Sequence, residues 1–192
     1  MGNILRGEVE IQGTRPALWH RFGPEALPLA KVEREGVAGN DPSEWARTVL
    51  VTKDGQLFFD SSYVFSALRD GARYTKKGRG SIQSAVIATL QVLDDRVLTD
   101  RFMPEGPLTQ DPDEPVYLDV RGVRNPATKA RNVRYRVAAS IGWKARFTLI
   151  WDKTVVSRGE MEAVLNDTGK LVGLSNGRSI GFGRFEVVRL EV

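Results

Sequence analysis

Hydrophobic and polar residues alternate most regularly between Val133 and Asp152, where Trp143, Ala145, Phe147, Leu149 and Trp151 fall on one side and Lys144, Arg146 and Thr148 on the other. A period of two sends successive side chains to opposite faces, so the pattern predicts a half-buried strand with a basic outer face, or two strands pivoting near Gly142. Ile4 to Ile11 reads as a first strand, with Val9 and Ile11 set against Glu8 and Glu10. Val116 to Val123 reads as another, broken by Arg124-Asn125-Pro126. Phe185 to Val192 lacks clean alternation, which suits a closing strand buried on both faces.

The period changes in three places. Asp60-Ser61-Ser62 supplies N-cap side chains, and Val64, Ala67, Leu68 and Ala72 follow at helical spacing, predicting a helix to about Arg73. Ser81 can cap a second helix with Ile82, Ala85, Val86, Thr89 and Leu93 on one face, although β-branched residues allow a strand in its latter half. Ser157 and Glu160 form a capping box before Met161, Val164 and Leu165, and Gly169 is placed to end that helix. Between these segments, Lys53-Asp54-Gly55-Gln56 joins Thr48–Thr52 to Leu57–Phe59 as a hairpin turn. The stretch from Pro16 to Pro42, rich in proline and glycine, reads as an irregular excursion with Ala17-Leu18-Trp19 as its apolar anchor. Asp100 to Pro115 reads as an exposed connection.

In order, these elements spell βαββαβ, an α+β fold of the ferredoxin-like or RRM-like kind, whose antiparallel sheet carries its helices on one face. The 192 residues form one expected domain, with insertions at about 13–60 and 76–115, including the hairpin and long loops. There is no cysteine, which removes disulfides and thiolate metal sites. No stretch has the apolar length of a membrane span or the apolar core of a signal peptide, so a cytoplasmic location without membrane contact is expected.

Charge sharpens this picture. The net charge is +4, yet Val120 to Trp151 holds eight basic residues and no acidic one, leaving −4 for the rest of the chain. Arg121, Arg124, Lys129, Arg131, Arg134 and Arg136 crowd its first half, and Lys144 and Arg146 its second. Focused charge of this kind, dominated by arginine, suits the phosphates of a polyanion; a solvated strand edge is the plainer account. A second basic run, Arg73-Tyr74-Thr75-Lys76-Lys77-Gly78-Arg79, sets a tyrosine beside cations.

The third candidate is Gly173 to Val187, in which Gly177, Gly181 and Gly183 permit close backbone approach beside Arg178 and Arg184. No Gly-Lys-Ser or Gly-Lys-Thr is present and the loop does not join a strand to a helix, so it is not a nucleotide phosphate loop. A tight turn without ligand is the alternative; Arg178 meets no acidic residue in sequence before Glu186. Tyr74 and Phe182 are the best candidates for base stacking, with Tyr117, Tyr135 and Trp143 behind them. His20 is the single histidine, which excludes a multi-histidine metal site. Asp94-Asp95, Asp111 and Asp113-Glu114 lack the spacing of a two-metal centre. No cofactor is expected.

The order of elements, the helix start Phe-Asp-Ser-Ser-Tyr-Val-Phe-Ser-Ala-Leu-Arg (Phe59–Arg69) and the run Gly-Leu-Ser-Asn-Gly-Arg-Ser-Ile-Gly-Phe-Gly-Arg-Phe-Glu-Val (Gly173–Val187) together resemble the RAMP superfamily of CRISPR-associated RNA-binding proteins, in particular the repeating backbone subunit. Ile11–Phe22 and Leu171–Arg178 also resemble uncharacterised bacteriophage proteins. The likeness covers the skeleton, and its specific parts are the glycine loop and the helix start. It implies an RNA-recognition-type fold that binds single-stranded RNA or DNA and assembles side by side, and the expected function is that of a non-catalytic binder forming a homo-oligomer or filament along the strand. Some RNA-cleaving members of the superfamily use a histidine just after the first strand, where His20 stands, so a metal-independent endoribonuclease is an alternative. The packing of His20 beside Trp19 is its plain structural reading. A phage structural protein that meets an acidic protein partner is a third.

Overall fold

The computed structural model describes residues 2–21, 41–124, 129 and 131–192. The excursion from Pro16 to Pro42 therefore lies largely outside the described residues, as does the Asn125-Pro126 break. A six-stranded antiparallel sheet forms the main layer. Its path is β11 (Phe185–Glu191), β1 (Ile4–Gly13), β10 (Lys144–Asp152), β7 (Arg96–Phe102) and β3 (Gln56–Asp60), with the short β6 (Gln91–Val92) also on β10. After the short helix α1 (Glu44–Thr48), helices α2 (Ser61–Gly71), α3 (Gln83–Thr89) and α4 (Arg158–Asp167) share one core with one face of that sheet. There Val64, Leu68, Val86, Met161 and Leu165 meet Val9, Ile11, Phe147 and Leu149, all nearly or wholly buried. The order β11-β1-β10-β7, with α2 and α3 before β7 and α4 before β11, is the ferredoxin-like βαββαβ arrangement.

A second, three-stranded sheet stands beside it, in the order β2 (Ala17–Trp19), β9 (Arg131–Ala139), β8 (Val116–Arg124). This corrects two expectations. The strand at Val116–Val123 is not a member of the main sheet; β7, inside and before the supposed connection from Asp100 to Pro115, takes that place. β7 escapes notice because its outward positions hold Leu98 and Phe102 while Thr99 points inward, inverting the usual pattern. The alternation from Val133 to Asp152 belongs to two strands in different sheets, parted at Gly142, where φ is 89°.

The two sheets meet through aromatic packing. Trp19 stacks on Phe59 with ring centroids 5.0 Å apart, and Phe59 meets Trp143 edge-on at 5.4 Å. Each indole N–H finds a backbone carbonyl: Trp19 donates to Phe58 at 2.7 Å and Trp143 to Arg15 at 2.9 Å. Buried aromatics satisfied in this way are the costliest to truncate, at about 3–5 kcal/mol each.

The remaining expectations fare unevenly. The Asp-Gly turn forms, with Gly55 at φ 81°, but its first arm contributes only a bridge from Val51 to Leu57. The second helix is short and gives way to β6, the strand its β-branched residues allowed. The capping box at Ser157 and Glu160 forms, but Gly169 does not end the helix. The chain winds on through a π-turn, Thr168–Val172, to Gly173 at φ 83°. Gly169 is required for closeness instead, since a Cβ there would strike the carbonyl of Phe185. β11 is not buried on both faces but is an edge strand, with Glu186, Val188 and Arg189 exposed.

Candidate nucleic-acid interface

α2 carries Tyr63, Ser66 and Asp70 along one side, with Arg73 just beyond its end, while Val64, Ala67 and Leu68 face the core. The spacing of three, four and three residues makes this a polar stripe one helical face wide. Opposite it stands the glycine loop. Between them lies a groove of about 630 Å³, lined among others by Asp70, Arg73, Tyr74, Asn176, Gly177, Arg178 and Arg184. A smaller cavity of about 260 Å³ adjoins it through the shared residues Ser175, Asn176 and Arg178, and is completed by His20, Tyr63 and Ser66.

The loop owes its shape to its backbone. Gly177 and Gly181 flank one 3-10 turn, Arg178–Ile180, both in the left-handed region. Gly183, at φ 68°, lies so close to Leu174 that a Cβ would collide with the Leu174 carbonyl. Ser175 takes φ 83° without being glycine, a strain of about 1–3 kcal/mol. Its Oγ accepts the Leu18 N–H at 3.1 Å, which ties the loop to β2.

Arg178 is not without an acidic neighbour, as its sequence surroundings implied. Its Nη2 lies 3.3 Å from Asp70 Oδ2, brought across by α2. Arg178 Nη1 and Arg184 Nη1 are nevertheless buried with no hydrogen-bond partner among the described residues. Burial lowers the pKa of the Arg184 guanidinium, and the neighbouring Tyr74 opposes that shift. Arg73, Arg178 and Arg184 thus line a groove whose one acidic lining residue is Asp70.

The other basic residues fall into three groups elsewhere. On the β8–β9 hairpin, Arg121 grips Asp119 with Nε and Nη2, and Arg136 Nη2 donates to the same carboxylate at 3.1 Å. Asp119 and Arg136 are both buried. Arg136 also donates to Asn176 Oδ1 at 2.8 Å, and the Arg121 guanidinium lies 4.4 Å above the Phe182 ring. Phe182 therefore has one face covered by the chain's own cation and packs with Leu18, Tyr117 and Ala138. Arg134 Nη1 lies 2.7 Å from Glu44 Oε1. Nearer the tip, Arg124, Lys129 and Arg131 are exposed, and no ion pair joins them to a carboxylate among the described residues.

Lys76, Lys77 and Arg79 form a two-strand turn, β4 (Lys76–Lys77) and β5 (Gly80–Ser81), beside the groove's Tyr74. Lys77 is engaged by Glu160 at 3.1 Å and by the Val155 carbonyl at 2.9 Å. Lys144 and Arg146 lie on the open face of the main sheet, away from the helices, where Arg146 pairs with Glu10.

The structure thus gathers Arg73, Tyr74, Gly177, Arg178 and Arg184 into one groove and His20 into its annex. The hairpin arginines stand behind the loop, and Lys144 and Arg146 stand apart. Sequence reading missed Tyr63, Ser66 and Asn176, of which the first two had a signal in the polar stripe of α2. It also missed Glu44. This buried carboxylate takes His20 Nε2 at 3.0 Å, Arg134 Nη1 and the Tyr135 N–H at 3.1 Å. Burial raises its pKa, but those hydrogen bonds and the Arg134 charge prevail and hold it below the ordinary value. Among the described residues no three His, Asp or Glu side chains gather to hold a metal ion, and no helix is long and apolar enough to cross a membrane.

No protein-family model and no curated protein matches the chain. Solved structures do. A chain of the cryo-EM structure of the type III-B Cmr-beta bound to cognate target RNA superposes with a TM-score of 0.53 at 13% identity, over 98% of this chain. The protein spans about 60% of the length of that chain. At this identity the likeness is one of fold, and it agrees with the ferredoxin-like α+β class.

Proposed function

We propose that the protein is a non-catalytic, cytoplasmic binder of single-stranded nucleic acid, which lays the phosphate backbone in the groove between α2 and the glycine loop and assembles side by side along the strand. The carrying observation is the pair of buried guanidinium donors, Arg178 Nη1 and Arg184 Nη1, left without partners on the walls of one groove. An unsatisfied buried donor costs about 1–3 kcal/mol, which phosphate oxygens would offset once the side chains turn toward them. Tyr74, 54% exposed at the groove's lip, offers a stacking face. The target RNA in the Cmr-beta structure supports a nucleic-acid ligand for this fold, and RNA ahead of DNA.

Fluorescence anisotropy with labelled single strands tests the reading. Affinity should fall steeply with salt as condensed counterions are released, and Arg178→Ala with Arg184→Ala should weaken it roughly tenfold or more while leaving the fold intact. Absence of binding at low salt would sink the proposal.

One observation favours the second reading, the endoribonuclease. Glu44 orients the His20 ring in a cavity that Arg178 also lines, as a general base beside a cation requires. It predicts metal-independent RNA cleavage that disappears in His20→Ala.

A further inference from the structure

The annex beside the groove differs from it in chemistry. It is about 260 Å³, at or just below the small end of ligand pockets, and presents two aromatic rings, Tyr63 and His20, with the hydroxyl of Ser66 and the amide of Asn176. What distinguishes it is that the hydrogen-bonding direction of two of these groups is set from behind.

Arg136 can only donate, so the Asn176 oxygen must face it at 2.8 Å, and the Asn176 NH₂ is left as the free end. Arg136 is in turn fixed by buried Asp119. Glu44, held ionised by its partners, can only accept, so in the neutral imidazole His20 Nε2 carries the proton and Nδ1 is an acceptor. Arg134 secures Glu44 in the same way. The annex therefore offers one donor and one acceptor, each locked by a salt-bridged neighbour, beside the Arg178 guanidinium that it shares with the groove. Phosphate oxygens accept only: they can meet Arg178 and the Asn176 donor but leave the fixed acceptor unmatched. A nucleobase edge, where ring nitrogens and exocyclic groups alternate in donating and accepting, fits both.

We propose that this annex is a nucleobase subsite, into which one unstacked base turns from the strand in the groove, and that His20, Tyr63 and Asn176 make binding base-selective. The inference rests on the groove carrying the strand. The order of chemistry follows the geometry: cations along the groove for the backbone, Arg178 at the boundary the two cavities share, and the neutral directed groups of the annex for the base.

The test measures anisotropy for short single-stranded homopolymers of each of the four bases. The wild-type protein should separate the best from the worst by roughly tenfold or more. His20→Ala and, independently, Tyr63→Phe, which removes a single hydroxyl, should narrow that ratio. Arg184→Ala should weaken all four alike and leave the ratio in place. Equal affinity for all four homopolymers, or a ratio that neither His20→Ala nor Tyr63→Phe moves, would overturn the base subsite while the groove stands. Failure of every homopolymer to bind would overturn both.

Discussion

The groove beside α2 and the open face of the main sheet both draw on basic runs of the sequence, and the fold treats them in opposite ways. On the open face, Arg146 pairs with Glu10, Arg189 pairs with Glu10 and Glu191, and the Lys144 backbone N–H donates to Asp100 Oδ1 at 2.7 Å. Cations and carboxylates there alternate across neighbouring strands, around a cavity of about 350 Å³ whose apolar lining includes Leu98 and Val188. In the groove, Arg73 and Arg178 share Asp70 with Arg69, no ion pair joins Arg184 to a carboxylate among the described residues, and one donor each of Arg178 and Arg184 goes unmet. The sign of a surface is decided by which carboxylates the fold delivers to it, and those came from strands and helices far along the chain. A run of arginines is therefore a statement about composition before it is one about a face.

The largest contrast is expected in stability. Asp119 pairs with partly exposed Arg121 and with buried Arg136 and, through Arg136, anchors the glycine loop at Asn176. Asp119→Ala would leave Arg136 buried without its counter-charge, and should cost about 3–5 kcal/mol in urea unfolding. Glu10 serves partners that are themselves mostly in water: the Arg146 side chain is 66% exposed. Glu10→Ala should cost about 0–1 kcal/mol. Comparable losses at the two sites would erase the distinction between a buried, loop-positioning network and a solvated lattice of charge.

A second contrast is expected in binding. If the groove holds the phosphates, Lys144→Ala with Arg146→Ala should change affinity for single strands by less than about twofold and leave the salt dependence as it was. Arg178→Ala with Arg184→Ala should lower the slope of log affinity against log salt by about 2, roughly one for each lost phosphate contact. Anisotropy titrations across a salt series read both. The reverse outcome would move the interface to the open face, as the alternation from Val133 to Asp152 first suggested.

What could be read in the chain was local. The capping box at Ser157 and Glu160, the Asp54-Gly55 turn and the buried side of β10 each depend on residues within a few positions of one another, and each formed. β7 was hidden because its exposed apolar side chains, Leu98 and Phe102, occupy the positions where polar ones were expected. The division into two sheets was hidden because alternation names a strand's faces but not its neighbour. The groove was half legible: the glycines and arginines of its loop were visible, whereas Asp70, Tyr63 and Ser66 reach it only through the packing of α2. The acid-free window shows the limit most plainly. It begins at Val120, one residue after Asp119, the carboxylate that pairs with two of its arginines.

The smallest effect concerns acid. Glu44 is desolvated, which raises its pKa, yet the His20 and Tyr135 hydrogen bonds and the Arg134 charge leave it lower than in the unfolded chain. A carboxylate depressed by folding contributes stability that is present above its unfolded pKa and is lost as pH falls through the folded one. Urea midpoints should therefore decline as pH drops below about 4.5, and Glu44→Gln, less stable near neutrality, should decline less over the same interval. Because Glu44 holds His20, which lines the annex, and touches no described residue of the open face, the same acid step should blunt base selectivity in binding before it unfolds the main sheet: a neutral Glu44 no longer holds the His20 ring with a charged acceptor. Selectivity and stability falling together, with no difference between wild type and Glu44→Gln, would show that Glu44 neither steadies this corner of the fold nor directs the histidine.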